Sequence, residues 1–362
     1  MINQESFTKE WIESFRKKRS NKRIDPAIVE KMIWAFYLLE QLSERKLNFM
    51  FKGGTSLILL LENANRFSID IDITTEENRD ALETVLNSII ENSNFIEYKL
   101  DRKRSYREGV PKAHYKFYYN SIQDATQKIK ANYVLLDVVF EKAVYPEINK
   151  IEIKTDWLKT ITPYYTVKLP SINAILGDKL TAFAPNTTGI RYQKGKEIEI
   201  CKQLFDISEL IDQALDYEIV YSSFLETVKK EIDYRSLDIN AETVLDDLFD
   251  TALIIARREK NRGDDASKYR EIQTGLRNFS NFTITKNFRI EEAISASAKA
   301  ACIAMKLKNG DFTPIELYQS NLDLTNLEIE NKEYQFLNKL RKSNKPAFYY
   351  WYQCLLQLGE LC

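Results

Sequence analysis

Histidine is nearly absent from this chain of 362 residues; His114 is the only one. That excludes zinc sites built from several histidines and leaves little scope for imidazole-driven acid–base catalysis. Cysteine is scarce too. Cys201, Cys302, Cys354 and Cys362 are scattered with no metal-ligand spacing, a usage that fits a reducing compartment such as the cytoplasm. No apolar run approaches the roughly 20 residues of a membrane span. Met1-Ile2-Asn3-Gln4-Glu5 lacks the basic-then-apolar order of a secretory signal. Neither sign of charge is in surplus. Lys and Arg total 52 against 53 Asp and Glu, a net −1, so bulk charge makes no case for nucleic acid. Internal repeats and low-complexity tracts are also missing. What is left is an ordinary globular composition, 44% apolar and 29% charged, on a chain long enough for a sizeable core and two domains.

The informative stretch runs from residue 49 to 73. Phe49-Met50-Phe51 reads as a short buried strand, Gly53-Gly54 as a turn, and Thr55 to Leu61 as a helix start with Thr55 or Ser56 as N-cap. Glycine allows positive φ and close backbone approach. Free amides at a helix start, helped by the dipole, then make an anion site. Arg66-Phe67-Ser68-Ile69-Asp70-Ile71-Asp72-Ile73 follows as an alternating strand. Its period puts Asp70 and Asp72 on one face and Ile69, Ile71 and Ile73 on the other. Carboxylates that close repel unless a cation sits between them. Their oxygens suit Mg²⁺, which takes one or two protein carboxylates and completes its shell with water and substrate phosphates. A Gly-Gly turn alone is usually only a turn, and a lone Asp-x-Asp is more often an exposed face. In this order, with Arg66 and Ser68 just before the acids, they are equipment for holding a metal-bound nucleoside triphosphate.

A third acid is sought on a later strand. Val134-Leu135-Leu136-Asp137-Val138-Val139-Phe140 predicts a fully buried strand, where an unpaired carboxylate is costly. A neighbouring metal removes that cost, and two-metal sites use such a group to orient the attacking hydroxyl. The alternative is that Asp137 pairs with an Arg or Lys at a sheet end. His114 lies on the alternating run Ala113 to Tyr119 and reads as structural or as a substrate contact. Basic clusters occur at Arg16-Lys17-Lys18-Arg19 with Lys22-Arg23, at Arg102-Lys103-Arg104 with Arg107 and Lys112, and at Arg257-Arg258 with Lys260 and Arg262. Such runs are solvated faces more often than sites. The 102–112 loop, which joins strands of the candidate sheet, is the one that reads as an RNA contact.

Along the chain, helices are expected at 6–17 and 26–47, the second with Asp25 as N-cap and Pro26 at its first position. A helix follows at 78–92, then strands near 95–101, 113–120, 131–141 and 149–155. From about 171 the apolar period is helical. Ala184 to Gly189 breaks that pattern and reads as a mobile loop, while Glu259 to Asp265 reads as a surface turn. The Tyr349-Tyr350-Trp351-Tyr352 cluster reads as core or interface packing.

The run Lys-Gly-Gly-Thr-Ser-Leu at 52–57, followed by Arg-Phe-Ser-Ile-Asp-Ile-Asp-Ile at 66–73, resembles the AbiEii/AbiGii abortive-infection toxin nucleotidyltransferases, a branch of the DNA polymerase β-like superfamily. The likeness recurs more weakly near 137, 179 and 206 and ends near 215. It implies a bilobed α+β protein. The N-terminal polymerase β-like nucleotidyltransferase lobe would have a mixed sheet and span residues 1–165, and the C-terminal lobe would be mostly helical and span 166–362. It assigns the triphosphate to Lys52, Gly53, Gly54, Thr55 and Ser56, with Arg66 and Ser68. It assigns two Mg²⁺ ions, with Mn²⁺ as a substitute, to Asp70, Asp72 and Asp137. Lys179, on the helix at 171–180, would offset phosphate charge as pyrophosphate leaves. Asp206, on the helix at 202–210, would hold that lysine or a base edge; the blander alternative makes both surface residues of amphipathic helices.

The implied chemistry is Mg²⁺-dependent transfer of a nucleoside monophosphate from an NTP to a hydroxyl, with RNA, and tRNA ends in particular, as the acceptor. The implied biology is the toxin of a toxin–antitoxin or phage-defence pair with a cognate antitoxin. A protein or small-molecule acceptor stays open. A metal-dependent glycosyltransferase also uses Asp-x-Asp but does not need the Gly-Gly-hydroxyl turn, and a retired transferase core serving as a binding module is the non-enzymatic alternative. Ser68 is expected on the face of Asp70 and Asp72, where a phosphate would add about −2 charge and block NTP binding.

Overall fold

A computed structural model of the chain describes residues 1–18, 24–105, 111–123, 132–285 and 287–361. The basic positions Arg19, Lys22, Arg23 and Arg107 lie outside the described residues. Contacts divide the protein into two compact units. One comprises Met1–Val144, Ile148–Ser171 and Phe282–Lys286; the other comprises Tyr145–Glu147, Ile172–Asn281 and Asn287–Cys362.

The first unit is built on a sheet of seven strands: β1 (Met50–Lys52), β2 (Asp70–Thr75), β3 (Glu97–Leu100), β4 (Lys112–Tyr119), β5 (Asn132–Phe140), β6 (Ile148–Glu152) and β7 (Thr166–Pro170). Their order is β3-β4-β5-β2-β1-β7-β6. Pairs β2/β5 and β1/β7 are parallel and the remaining pairs antiparallel, so the sheet is mixed and the class is α+β, as expected. No strand was expected at 166–170. That segment is short, ends in Pro170, and earns its place only by pairing β1 on one side and β6 on the other, contacts remote in sequence.

Helices α1 (Lys9–Lys18), α2 (Pro26–Glu44), α3 (Gly53–Leu60), α4 (Arg79–Asn92) and α5 (Arg102–Ser105) complete this unit. The start of α2 is as expected: the Asp25 carboxylate accepts from the Ala27 amide at 2.9 Å and Pro26 follows it. Thirteen of the 19 residues of α2 are buried, including Phe36, Leu38 and Leu39. These side chains form one core with Leu82, Leu86 and Ile89 of α4 and with Ile71, Ile73, Tyr115, Phe117, Val134, Leu136 and Val138 of the strands. Each large aliphatic or aromatic side chain so buried stabilises the fold by about 1.5–3 kcal/mol. All these strand residues share one sheet face, because alternate positions point the same way.

The alternation corrects the expectation for β5. Val134, Leu136 and Val138 are buried, but Leu135, Asp137 and Val139 are only half-buried, on the opposite face. Asp137 therefore sits on a partly open face and not in the middle of a fully buried strand. The continuous apolar run misled because Leu135 and Val139 are apolar residues on the open side.

The second unit contains α6 (Ile172–Ala182), α7 (Glu197–Ile211), α8 (Tyr217–Arg235), α9 (Ala241–Arg257), α10 (Gly263–Phe279), α11 (Ile290–Lys308), α12 (Leu340–Ser343) and α13 (Lys345–Leu358). Helix α11 packs against α9 and α13. Six of its 13 buried positions are alanine (Ala293, Ala296, Ala298, Ala300, Ala301, Ala304), which lets neighbouring backbones come close. Tyr349, Tyr350 and Trp351 of α13 are buried, so this cluster is core packing. The expected mobile loop at 184–189 is instead tied down. Buried Asp247 accepts from the Asn186 amide and the Thr187 hydroxyl, both at 2.8 Å, and Arg235 donates to the carbonyls of Thr187 and Gly189. A Pro-Asn-Thr-Thr-Gly sequence looks loose because its partners lie 46 to 61 residues away.

Helix α6 crosses α8 at Gly177. A Cβ there would overlap the Val220 carbonyl oxygen and lie 2.7 Å from the Phe224 amide nitrogen. Gly177→Ala is expected to cost about 1–3 kcal/mol in urea unfolding, because the helices must separate. An unchanged midpoint would mean that the crossing is not held at this distance.

Candidate active site

Strand β1 ends at Lys52, and the chain turns into α3 at Gly53, whose φ of +77° is a left-handed value that glycine adopts without strain. A side chain at either glycine would also have to displace its neighbours. A Cβ on Gly53 would overlap Asp72 Oδ2 and lie 2.8 Å from its carboxyl carbon; one on Gly54 would overlap Arg66 Nη2 and lie 3.0 Å from Ser68 Oγ. The carboxylate of Asp72 and the guanidinium of Arg66 thus lie directly on the turn.

Thr55 and Ser56 are not N-caps. The helix already begins at Gly53, and its N-cap, Lys52, makes no side-chain capping bond. Both hydroxyls are fully buried. Thr55 donates to the Asp70 carbonyl and pairs with the Ser68 hydroxyl at 2.9 Å, while Ser56 donates to the Gly53 carbonyl at 2.7 Å. Thr55 fastens the turn to the segment that leads into β2, and Ser56 closes the turn on itself. The first amides of α3 are left without a side-chain cap, the arrangement that binds anions at helix starts. Arg66 is buried, donates to the Phe67 carbonyl at 3.0 Å, and its backbone bridges Thr283. Ser68 is half-buried and precedes the strand, since β2 starts at Asp70.

Register then assembles a polar row across four strands. Lys52 faces Asp72, Asp72 faces Asp137, and Asp137 faces His114. Residues paired in this way project to the same side, and adjacent strands are about 4.8 Å apart. Asp70 lies two positions along β2 on that side. This is the half-buried face, opposite the core.

Asp137 is engaged at both oxygens. His114 Nδ1 lies 2.7 Å from Oδ1, and Arg104 Nη2 donates to Oδ2 at 3.2 Å. Arg104 comes from α5, which is fixed to β4: the Asp101 amide donates to the His114 carbonyl at 2.7 Å, the His114 amide to Ser105 Oγ at 2.9 Å, and Lys116 pairs with Asp101 at 2.9 Å. Arg102, Lys103 and Arg104 are exposed. The sequence marked His114 as structural or a substrate contact, placed Arg104 in the candidate RNA-contact loop and offered an Arg or Lys as a partner for Asp137, but it did not identify these two residues as the partners. The signals were a lone histidine at an outward position of an alternating strand and an Arg cluster that the chain returns to the sheet.

Asp70, Asp72 and Asp137 offer only carboxylate oxygens on one face, a donor set that fits a hard divalent ion. Among the described residues, no group of three or more His, Cys, Asp and Glu side chains is already drawn together around a metal position. Asp137 is held by Arg104 and His114, so carboxylates closing on an ion would have to exchange at least the Arg104 contact.

Lys179 and Asp206 belong to the second unit, on α6 and α7. Neither is a surface residue. Their ion pair is 2.7 Å long with side chains 9% and 1% exposed, and Lys179 Nζ also donates to Gln203 Oε1 at 2.9 Å.

A sequence profile of the nucleotidyl transferase AbiEii toxin family, of type IV toxin–antitoxin systems, matches residues 37–282. The chain belongs to this family. It is therefore a nucleotidyltransferase, and the matched span contains every candidate residue above. Membership of the AbiEii family also implies a cognate antitoxin. Comparison with curated proteins finds no match. Solved structures resemble the chain distantly. One is described as a nucleotidyltransferase from H. pylori (15% identity, 78% of this chain and 94% of that one covered, TM-score 0.41). Another is an antigenic nucleotidyltransferase-like protein from Paracoccidioides brasiliensis (15% identity, 57% and 91% covered, TM-score 0.35). The assignment rests on the family profile and not on these likenesses. No helix among the described residues is long and apolar enough to cross a membrane.

Removing one partner of the Lys179–Asp206 pair leaves a buried charge uncompensated. Asp206→Ala is expected to lower stability by about 3–5 kcal/mol, and a Lys179→Met/Asp206→Leu double variant to recover most of it, both read from urea unfolding. A single variant as stable as the parent would show that the pair carries no such charge burden.

Proposed function

We propose that this AbiEii-family chain moves a nucleoside monophosphate from an NTP to a hydroxyl of RNA, with Mg²⁺, and releases pyrophosphate. The observation that carries this reading is the placement of Asp72, packed on the Gly53 turn and in register with Asp137. One carboxylate is thereby shared between a phosphate-binding turn and the strand bearing the third acid. The uncapped amides of α3 and the Arg66 guanidinium hold the phosphate tail through charge-assisted hydrogen bonds. Asp70 and Asp72 bind the metal, with Asp137 completing the set. When bound, Mg²⁺ neutralises phosphate charge and polarises the α-phosphorus toward attack.

In the transfer, the acceptor oxygen forms a bond to Pα, the Pα–O bond to the β-phosphate breaks, and the acceptor proton passes to Asp137. Lys179 is proposed to offset phosphate charge, its ammonium held by Asp206. Arg102, Lys103 and Arg104 are exposed on α5, with Arg104 against Asp137, and this favours a polyanionic acceptor, since phosphate contacts position nucleic acids. The choice of tRNA ends rests on family analogy.

The test incubates the purified protein, and its Asp70→Ala/Asp72→Ala variant, with Mg²⁺, each α-labelled NTP in turn, and total bacterial RNA. Label entering RNA with the intact protein, and falling to background with the variant, is the expected result. Label on protein would transfer the reading to a protein acceptor. Equal labelling by both would sink the carboxylate assignment, and turnover of a nucleotide sugar instead would make the chain a glycosyltransferase.

A further inference from the structure

We propose that His114 is a positioning residue for Asp137, holding one carboxylate oxygen so that the other is presented to a divalent ion; this rests on the reading of Asp137 as a metal ligand. An aspartate reaching from a strand can turn about its side-chain bonds, and a ligand that turns binds weakly. His114 removes that freedom. The Nδ1–Oδ1 separation of 2.7 Å is a full hydrogen bond, and the side chains are only 14% and 20% exposed. A carboxylate is acceptor only, so Nδ1 carries the hydrogen and donates.

The histidine is itself held. Its backbone amide donates to Ser105 Oγ at 2.9 Å, its carbonyl accepts from the Asp101 amide at 2.7 Å, and β4–β5 register sets it opposite Asp137. The imidazole therefore approaches Oδ1 from a fixed base. Oδ2 is in a different position. Its partner, Arg104, is 45% exposed and lies 3.2 Å away, so this contact is the one that yields to an ion. The two oxygens thus have separate tasks: Oδ1 is anchored and Oδ2 is exchangeable. Partners of this kind fix a ligand's orientation, and their loss usually lowers metal affinity or activity about 10–100-fold.

A purely structural His114 would only stitch β4 to β5, and the test separates the two roles. Mn²⁺ binding to the full chain, without nucleotide, is measured by electron paramagnetic resonance, alongside thermal unfolding. His114→Ala is expected to weaken Mn²⁺ about 10–100-fold. His114→Asn, whose amide nitrogen falls near the Nδ1 position, should restore most of the affinity. His114→Gln, whose nitrogen lies one bond further out, should not. Unchanged Mn²⁺ affinity in His114→Ala, while Asp137→Ala binds weakly, would overturn the positioning role alone. Unchanged affinity in Asp137→Ala would overturn it together with the metal reading of that residue. Equal rescue by Asn and Gln would also overturn it, because bulk and not the hydrogen bond would then be responsible.

Discussion

The approach of Asp72 to Gly53 is the constraint around which the site is organised. The carboxylate occupies the volume where any other residue would carry its Cβ, and the backbone there has a φ that disfavours side chains anyway. Two independent requirements fall on one position. Because the contact is so close, the start of α3 and the acids of β2 are held as one object. The Thr55 and Ser56 hydroxyls reinforce this by tying the first turn of α3 to Ser68, to Asp70 and to itself. The first amides of α3 and the carboxylate of Asp72 then keep a fixed relation that no loop has to close to create.

The position of β2 near the middle of the sheet does the rest. Its antiparallel partner β1 delivers the turn, and its parallel partner β5 delivers the third acid in register. One face, with Ile71 and Ile73, is sealed by α2 and α4, and that burial anchors the strand. The other face stays half-open, which lets charged groups keep part of their hydration and avoids the penalty for unpaired buried charge. Asp137 shows the balance: it is partly exposed, yet both oxygens have partners.

Much of this was legible in the sequence because the signals are local. Alternation gave β2 and β4, the Asp25-Pro26 pair gave the start of α2, and the order of Gly-Gly before Asp-x-Asp gave a turn that the structure places against Asp72. The errors have a common origin in contacts remote along the chain. Strand β7 is too short to announce itself and exists through pairing with β1 and β6. Thr55 looked like a cap because hydroxyls after glycine often are, but its partners lie 13 and 15 residues on. Asp137 looked buried because Leu135 and Val139 line the open face. The link from His114 and Arg104 to Asp137 spans 23 and 33 residues, a contact that no local period encodes.

The claim at the centre of this account is that Gly53 brings the phosphate-binding turn onto Asp72. Its most direct measurement is binding of a non-hydrolysable NTP analogue with Mg²⁺, by calorimetry, to the intact protein and to Gly53→Ala, with folding of each checked by circular dichroism. Binding that is Mg²⁺-dependent in the intact protein and lost in a folded Gly53→Ala variant is the predicted result. A folded Gly53→Ala protein that binds the analogue as the parent does would contradict the account.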